Sequence, residues 1–71
     1  MNLYASREDY LEAILVLYKK FGSVRSVDIA RHMGVSKPSV CHAVNVLCDG
    51  GFLTKDDKHF ISLTEEGRKV A

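Results

Sequence analysis

Residues 27–47 read "VDIARHMGVSKPSVCHAVNVL". Helical spacing runs on both sides of Gly34, and Ser36 offers a new helix start only two residues later. In the first half, Val27, Ile29, Ala30 and Met33 are the apolar positions, Ser26 is the expected cap and Asp28 sits in the first turn. Gly34 can take the left-handed conformation that stops a helix, and Val35 is an apolar plug. Ser36 then caps the next helix, and Pro38 is tolerated in its first turn, where a missing N–H costs nothing. Val40, Ala43, Val44 and Leu47 give that helix a buried stripe, and Asp49-Gly50-Gly51 breaks it. A turn this short makes two helices cross steeply and stands the second one proud of the body.

Upstream, "SREDYLEAILVLYKKFG" (residues 6–22) is a helix capped by Ser6. Glu8 and Asp9 suit its positive end and Lys19 and Lys20 its negative end. Tyr10, Leu11, Ile14, Leu15, Leu17 and Tyr18 form a wide apolar face, and Gly22 ends it. Downstream, "FLTKDDKHFISL" (residues 52–63) changes period. Two short β-prone runs, residues 52–55 and 60–63, flank a polar turn and predict a hairpin. Thr64 then caps a fourth helix with Glu65 and Glu66 in its first turn. The order is that of a mainly α winged helix-turn-helix: a three-helix core, a two-stranded wing and the start of a fourth helix, in one domain over residues 1–71.

Seventy-one residues with 46% hydrophobic side chains fit one small folded domain. The formal charge of +1 hides an uneven distribution. Residues 1–18 carry −2, residues 19–42 carry +4 and residues 43–71 carry −1. Positive charge therefore gathers around the two-helix segment, where its local field can attract phosphate. No apolar run approaches the ~18–20 residues of a membrane span, and the start lacks signal-peptide character. Cys41 and Cys48 would lie roughly 10 Å apart on one helix (~1.5 Å rise per residue). That is beyond the ~7 Å reach of a disulfide. Free thiols and the missing signal predict a cytoplasmic protein.

With Val40, Val44 and Leu47 inward, Lys37, Pro38, Ser39, Cys41, His42 and Asn45 face outward. Ser39, His42 and Asn45 suit base edges, Lys37 a phosphate or a guanine, and Pro38 and Cys41 a thymine methyl. A helix that merely faced solvent would carry more Glu, Lys and Ala. Arg25, Ser26 and the amides opening the second helix form a candidate phosphate clamp. Lys58 and His59 at the hairpin tip are further candidates, opposed by Asp56 and Asp57. His32 reads as a packed or dipole-satisfying residue, and Cys48 as a core residue. No CxxC or HExxH spacing, nucleophile–base pair or glycine-rich phosphate loop appears, which argues against an enzyme.

The segments "SREDYLEAILVLY", "VRSVDIARHMGVSKPSVCHAVNVLCDGGFL" and "ISLTEEGRKVA" together resemble the N-terminal DNA-binding domain of the iron-dependent repressor family. That is the family of the diphtheria toxin repressor and the manganese transport regulator. The resemblance covers residues 4–71. It implies a metal-responsive repressor that binds a palindromic operator in double-stranded DNA as a dimer. It also implies that Ser36, Pro38, Ser39 and His42 are DNA-facing. Asp9 and Glu12 align with first-helix metal ligands of the manganese-type members, and their i, i+3 spacing puts two oxygen donors on one helix face. In that family the remaining ligands come from a following helical domain. This chain is therefore expected to hold no cofactor by itself, and a longer parent Mn²⁺ or Fe²⁺. "GRKVA" (residues 67–71) reads as the opening of a helix that would continue, so the chain is expected to be part of something longer.

Two rival readings use the same residues. One is a winged-helix protein-interaction module, suggested by the near-neutral charge and acidic wing. The other is a winged-helix regulator that answers to no metal. Oligomeric state stays open, since an apolar first helix could pair with a second copy.

Overall fold

The computed structural model describes residues 6–71. The elements run α1 (Arg7–Phe21), α2 (Ser26–Met33), α3 (Lys37–Asp49), β1 (Leu53–Lys55), β2 (Ile61–Leu63) and α4 (Glu65–Val70). This is the expected winged helix-turn-helix order.

Local chemistry sets each boundary. At α1, the Ser6 hydroxyl accepts from the Asp9 amide while the Asp9 carboxylate accepts from the Ser6 amide. This reciprocal pair satisfies two orphan donors. At α2 the sequence expectation needs correcting. The capping position is Arg25, and Ser26 is already the first helical residue. Asp28 supplies the interaction instead, its carboxylate accepting from the Arg25 amide at 3.0 Å. Arginine carries no acceptor, so this is half a capping box. Gly34 ends α2 at φ +70°, its amide donating to Ala30 at 2.9 Å, and Ser36 caps α3 through the Ser39 amide.

The C-terminus of α3 is a Schellman motif. The Phe52 amide donates to Leu47 and the Gly51 amide to Cys48, with Gly51 at φ +83°. Both orphan carbonyls are satisfied at the cost of a left-handed residue, which glycine tolerates. The strands pair antiparallel, Leu53 with Leu63 and Lys55 with Ile61. They are three residues each, one shorter than the sequence suggests, because Phe52 is consumed by the helix ending and Phe60 by the turn.

Thr64 ties α4 back to that corner. Its hydroxyl donates to the Gly51 carbonyl at 2.6 Å and accepts from the Gly67 amide at 3.1 Å. Its own amide donates to the Phe52 carbonyl. The α4 backbone lies so close that a Cβ on Gly67 would overlap the Phe52 carbonyl oxygen.

One core gathers Tyr10, Leu11, Ile14 and Leu17 of α1, Ile29 of α2, Val40, Val44 and Leu47 of α3, and Leu53 and Ile61 of the hairpin. Each such side chain stabilises the fold by about 1.5–3 kcal/mol on full burial. Val24, in the α1–α2 connection, is equally buried although no periodicity marks it. Its carbonyl accepts from the Ile61 amide, so the connection lies along the free edge of β2. Three expected core positions differ. Tyr18 and Val27 are exposed and Leu15 is only half-buried, while Ala13 is buried. In each case the apolar face of the helix is wider than the neighbours that cover it. Among the described residues no helix is long and apolar enough to cross a membrane.

Candidate nucleic-acid interface

Helix α3 presents two surfaces away from the core. Val40, Val44 and Leu47 are at most 1% exposed, which fixes the rotation of the helix. At about 100° per residue, Pro38, His42, Asn45 and Asp49 then stand roughly opposite the core, within about 40° of one line. Lys37 and Cys41 fall on the flank toward the wing, and Ser39 and Val46 on the other. Ser36, Lys37, Pro38, Ser39, Cys41, His42 and Asn45 are all exposed, as expected.

The flank toward the wing opens into a groove of about 710 Å³ lined by Arg25, Ser26, Val27, Lys37, Cys41, Lys55, Lys58 and His59. Six of the sequence candidates, Arg25, Ser26, Lys37, Cys41, Lys58 and His59, meet there. The lining holds four cations and a histidine, and no carboxylate. Lys55 and Val27 are additions that the sequence reading did not make. Lys55 pairs with Ile61 across the ladder, so the two point to one side of the hairpin. Ile61 lands on the core and Lys55, one step farther out, on the groove. The signal was the two-residue period counted from Leu53.

The wing tip uses one of its acids to build its turn. The Asp56 carboxylate accepts from the amides of Lys58 and Phe60, each at 2.9 Å, and the His59 amide returns to the Asp56 carbonyl at 3.0 Å. His59 sits at φ +68°, a left-handed conformation rare outside glycine. Asp56 thus builds the turn that points Lys58 and His59 into the groove.

Ser36 and Ser39 divide their work. The Ser36 hydroxyl accepts from the Ser39 amide at 3.3 Å and donates to the Ser39 hydroxyl at 2.8 Å. Ser36 is therefore committed to the cap, whereas Ser39 keeps its own hydroxyl proton for a partner outside.

The charge order of α3 also stands apart. Helices α1, α2 and α4 each place acids in the first turn and bases in the last. Helix α3 has neither, and begins with Lys37 at the positive end of its dipole. That arrangement gives up the usual ~0.3–1 kcal/mol of dipole complementarity and leaves the amides facing a partner anion uncontested.

A family model described as the iron dependent repressor, N-terminal DNA binding domain, matches residues 2–60. The chain belongs to this family. It is 38% identical over 64 residues to the transcriptional regulator MntR of Salmonella typhimurium, covering 90% of this chain and 41% of that protein. The HTH-type transcriptional regulator MntR of Geobacillus kaustophilus is 35% identical over 65 residues, covering 92% and 46%. The chain thus spans less than half the length of these relatives. Among solved structures, the transcriptional regulator Tm0710 of Thermotoga maritima superposes with a TM-score of 0.69 at 27% identity, over 86% of this chain and 46% of that one.

Asp9 and Glu12 lie one turn apart on α1 and line a shallow depression with Ala13, Val16, His32 and Met33. Asp9 is already engaged in the α1 cap. Among the described residues no group of three or more His, Cys, Asp or Glu is placed to hold a metal ion. Two carboxylates supply oxygen of the right hardness for a divalent ion but do not complete its coordination. His32 is exposed in the last turn of α2, where a histidine suits the dipole. Cys41 and Cys48 are free thiols, Cys41 exposed and Cys48 half-buried against the core. Burial raises the Cys48 thiol above its ordinary pKa; Asp49 adds to the rise and Lys55 opposes it.

Proposed function

We propose that this domain binds double-stranded DNA sequence-specifically, with α3 in the major groove, as the DNA-reading part of a cytoplasmic, metal-responsive repressor. Pro38, Ser39, His42 and Asn45 meet base edges. Arg25, Ser26, Lys37, Lys55 and Lys58 meet phosphates. Asp49, at the far end of the outward row, keeps the last turn of the helix off the DNA and leaves the contact to the turns before it, weighted to the N-terminal residues that recognition helices commonly use. The palindromic operator and the dimer belong to the longer protein, as does metal control, for which Asp9 and Glu12 are this chain's candidate ligands.

The observation that carries this reading is the reversed charge order of α3 beside a groove whose lining has four cations and no carboxylate. A protein-interaction module has no need of either. The acidic wing that favoured that rival has a structural use here, because the Asp56 carboxylate holds the wing's own amides.

Titrating a labelled duplex across a salt series tests it. A protein neutralising several phosphates loses affinity linearly in log–log form, with a slope of about −0.9 per phosphate. A shallow or absent slope would favour the interaction module.

A further inference from the structure

Phe60 is a half-buried aromatic ring, yet among the described residues it is not one of the partly buried side chains resting on the core. In a domain this small, an aromatic ring spent away from the core needs another partner. That partner is Arg25, whose guanidinium carbon lies 4.3 Å from the centre of the Phe60 ring. Backbone geometry builds the pairing. The Ile61 amide donates to the Val24 carbonyl at 2.7 Å, which fixes residues 24 and 61 side by side and brings their neighbours Arg25 and Phe60 together. Arg25 is exposed, lines the basic groove and forms no ion pair among the described residues.

We propose that Phe60 is the positioning residue for Arg25, holding its guanidinium at the mouth of the groove to take a DNA phosphate. The proposal rests on the DNA-binding reading above. A free arginine side chain loses several rotamers when it grips a phosphate, and that ordering subtracts from affinity. A ring under the guanidinium orders it beforehand and leaves the N–H edge open for two parallel bonds to phosphate oxygens. It also ties the contact to the wing, so that wing and α2 approach the backbone as one surface.

Duplex affinity measured across a salt series for the parent, Arg25→Ala, Phe60→Leu, Phe60→Tyr and the Arg25→Ala/Phe60→Leu double variant decides the matter. Phe60→Leu is expected to weaken binding about two- to fivefold, the size of an exposed cation–π contact. Phe60→Tyr keeps the ring and binds like the parent. On the Arg25→Ala background, Phe60→Leu changes nothing further, and the salt slope of Arg25→Ala drops by about 0.9, one phosphate. A general folding defect from Phe60→Leu would instead persist on the Arg25→Ala background, so additive losses overturn the proposal. So does Phe60→Leu binding like the parent, or Phe60→Tyr binding like Phe60→Leu. Parent binding with any of those results overturns this inference alone; a parent with no salt-dependent affinity overturns the DNA reading with it.

Discussion

The Ile61 amide donates to the Val24 carbonyl across 2.7 Å, and this bond joins the wing to the connection between the first two helices. It adds to the burial of Leu53 and Ile61 in the core, since two three-residue strands are too few to hold themselves in place. With it, the groove between α3, α2 and the wing has a fixed far wall. Lys55, Lys58 and His59 therefore face Lys37 and Arg25 across a defined space.

Lys37 separates stability from function. Lys37→Glu places an acid at the positive end of α3 and should raise unfolding stability by about 0.3–1 kcal/mol. The same change should abolish most duplex affinity, because a carboxylate then faces phosphate. Urea titration and anisotropy on one protein sample check both halves. Lys37→Ala should weaken all sequences alike and lower the salt slope by about 0.9. His42→Ala should relax preference at particular base pairs with little change in slope.

Asp56 acts against its charge. If it were only a negative group near the DNA, Asp56→Ala would tighten binding. Its carboxylate instead holds the amides of Lys58 and Phe60. Asp56→Ala should therefore cost about 1–2 kcal/mol of stability and fail to tighten binding. Asp56→Asn, which keeps an accepting oxygen and removes the charge, should tighten it. Melting curves and duplex affinities of the two variants distinguish these outcomes.

Gly67 is required by contact, not by its dihedral angles. Gly67→Ala would drive a methyl into the Phe52 carbonyl oxygen. Forced separation of α4 from the hairpin corner should cost about 1–3 kcal/mol. Gly22→Ala tests a different mechanism, since Gly22 has open space around it and only a left-handed φ of +78° to protect. Thermal or denaturant unfolding of both variants should show that only Gly67→Ala disturbs α4 packing, read from chemical shifts at Leu63 and Phe52.

The two thiols should react at separate rates. Cys41 is exposed in the groove and should be modified at once by a disulfide reagent such as Ellman's. Cys48, half-buried and with its pKa raised mainly by burial, should lag until the fold opens. Because the raised pKa favours the protonated thiol in the folded state, the stability that Cys48 contributes is full below the ordinary thiol pKa. It is lost as pH rises through the raised value. Bound duplex should protect Cys41 and leave Cys48 unaffected.

Helix starts, helix stops and the α3 stripe were legible in the sequence because each is local. Ser6, Ser36 and Thr64 cap as read, Gly22 and Gly34 stop helices as read, and Val40, Val44 and Leu47 are buried as read. Most of what was not legible depends on distant partners. Val24 is buried because Ile61 pairs beside it, and nothing in its own neighbourhood says so. Tyr18 and Val27 looked like core positions from their spacing, but the neighbouring elements cover them only in part. At α2, Ser26 was the better cap by residue type, yet Asp28 reaches the Arg25 amide and moves the boundary back by one. The groove shows the same division. Its α3 side could be read from one helix; Lys55 shares the face of Leu53 by the two-residue period, but that this end of the face borders the groove shows only in the fold.

The most direct test of the interface is a duplex titrated into isotope-labelled protein and followed by amide and side-chain NMR shifts. The largest changes are expected at Lys37, Ser39, Cys41, His42 and Asn45 on α3 and at Arg25, Lys55 and Lys58 around the groove, with Glu12, Val16 and Phe21 on α1 unmoved. Shifts concentrated on α1 with α3 unchanged would contradict the placement of DNA on this face.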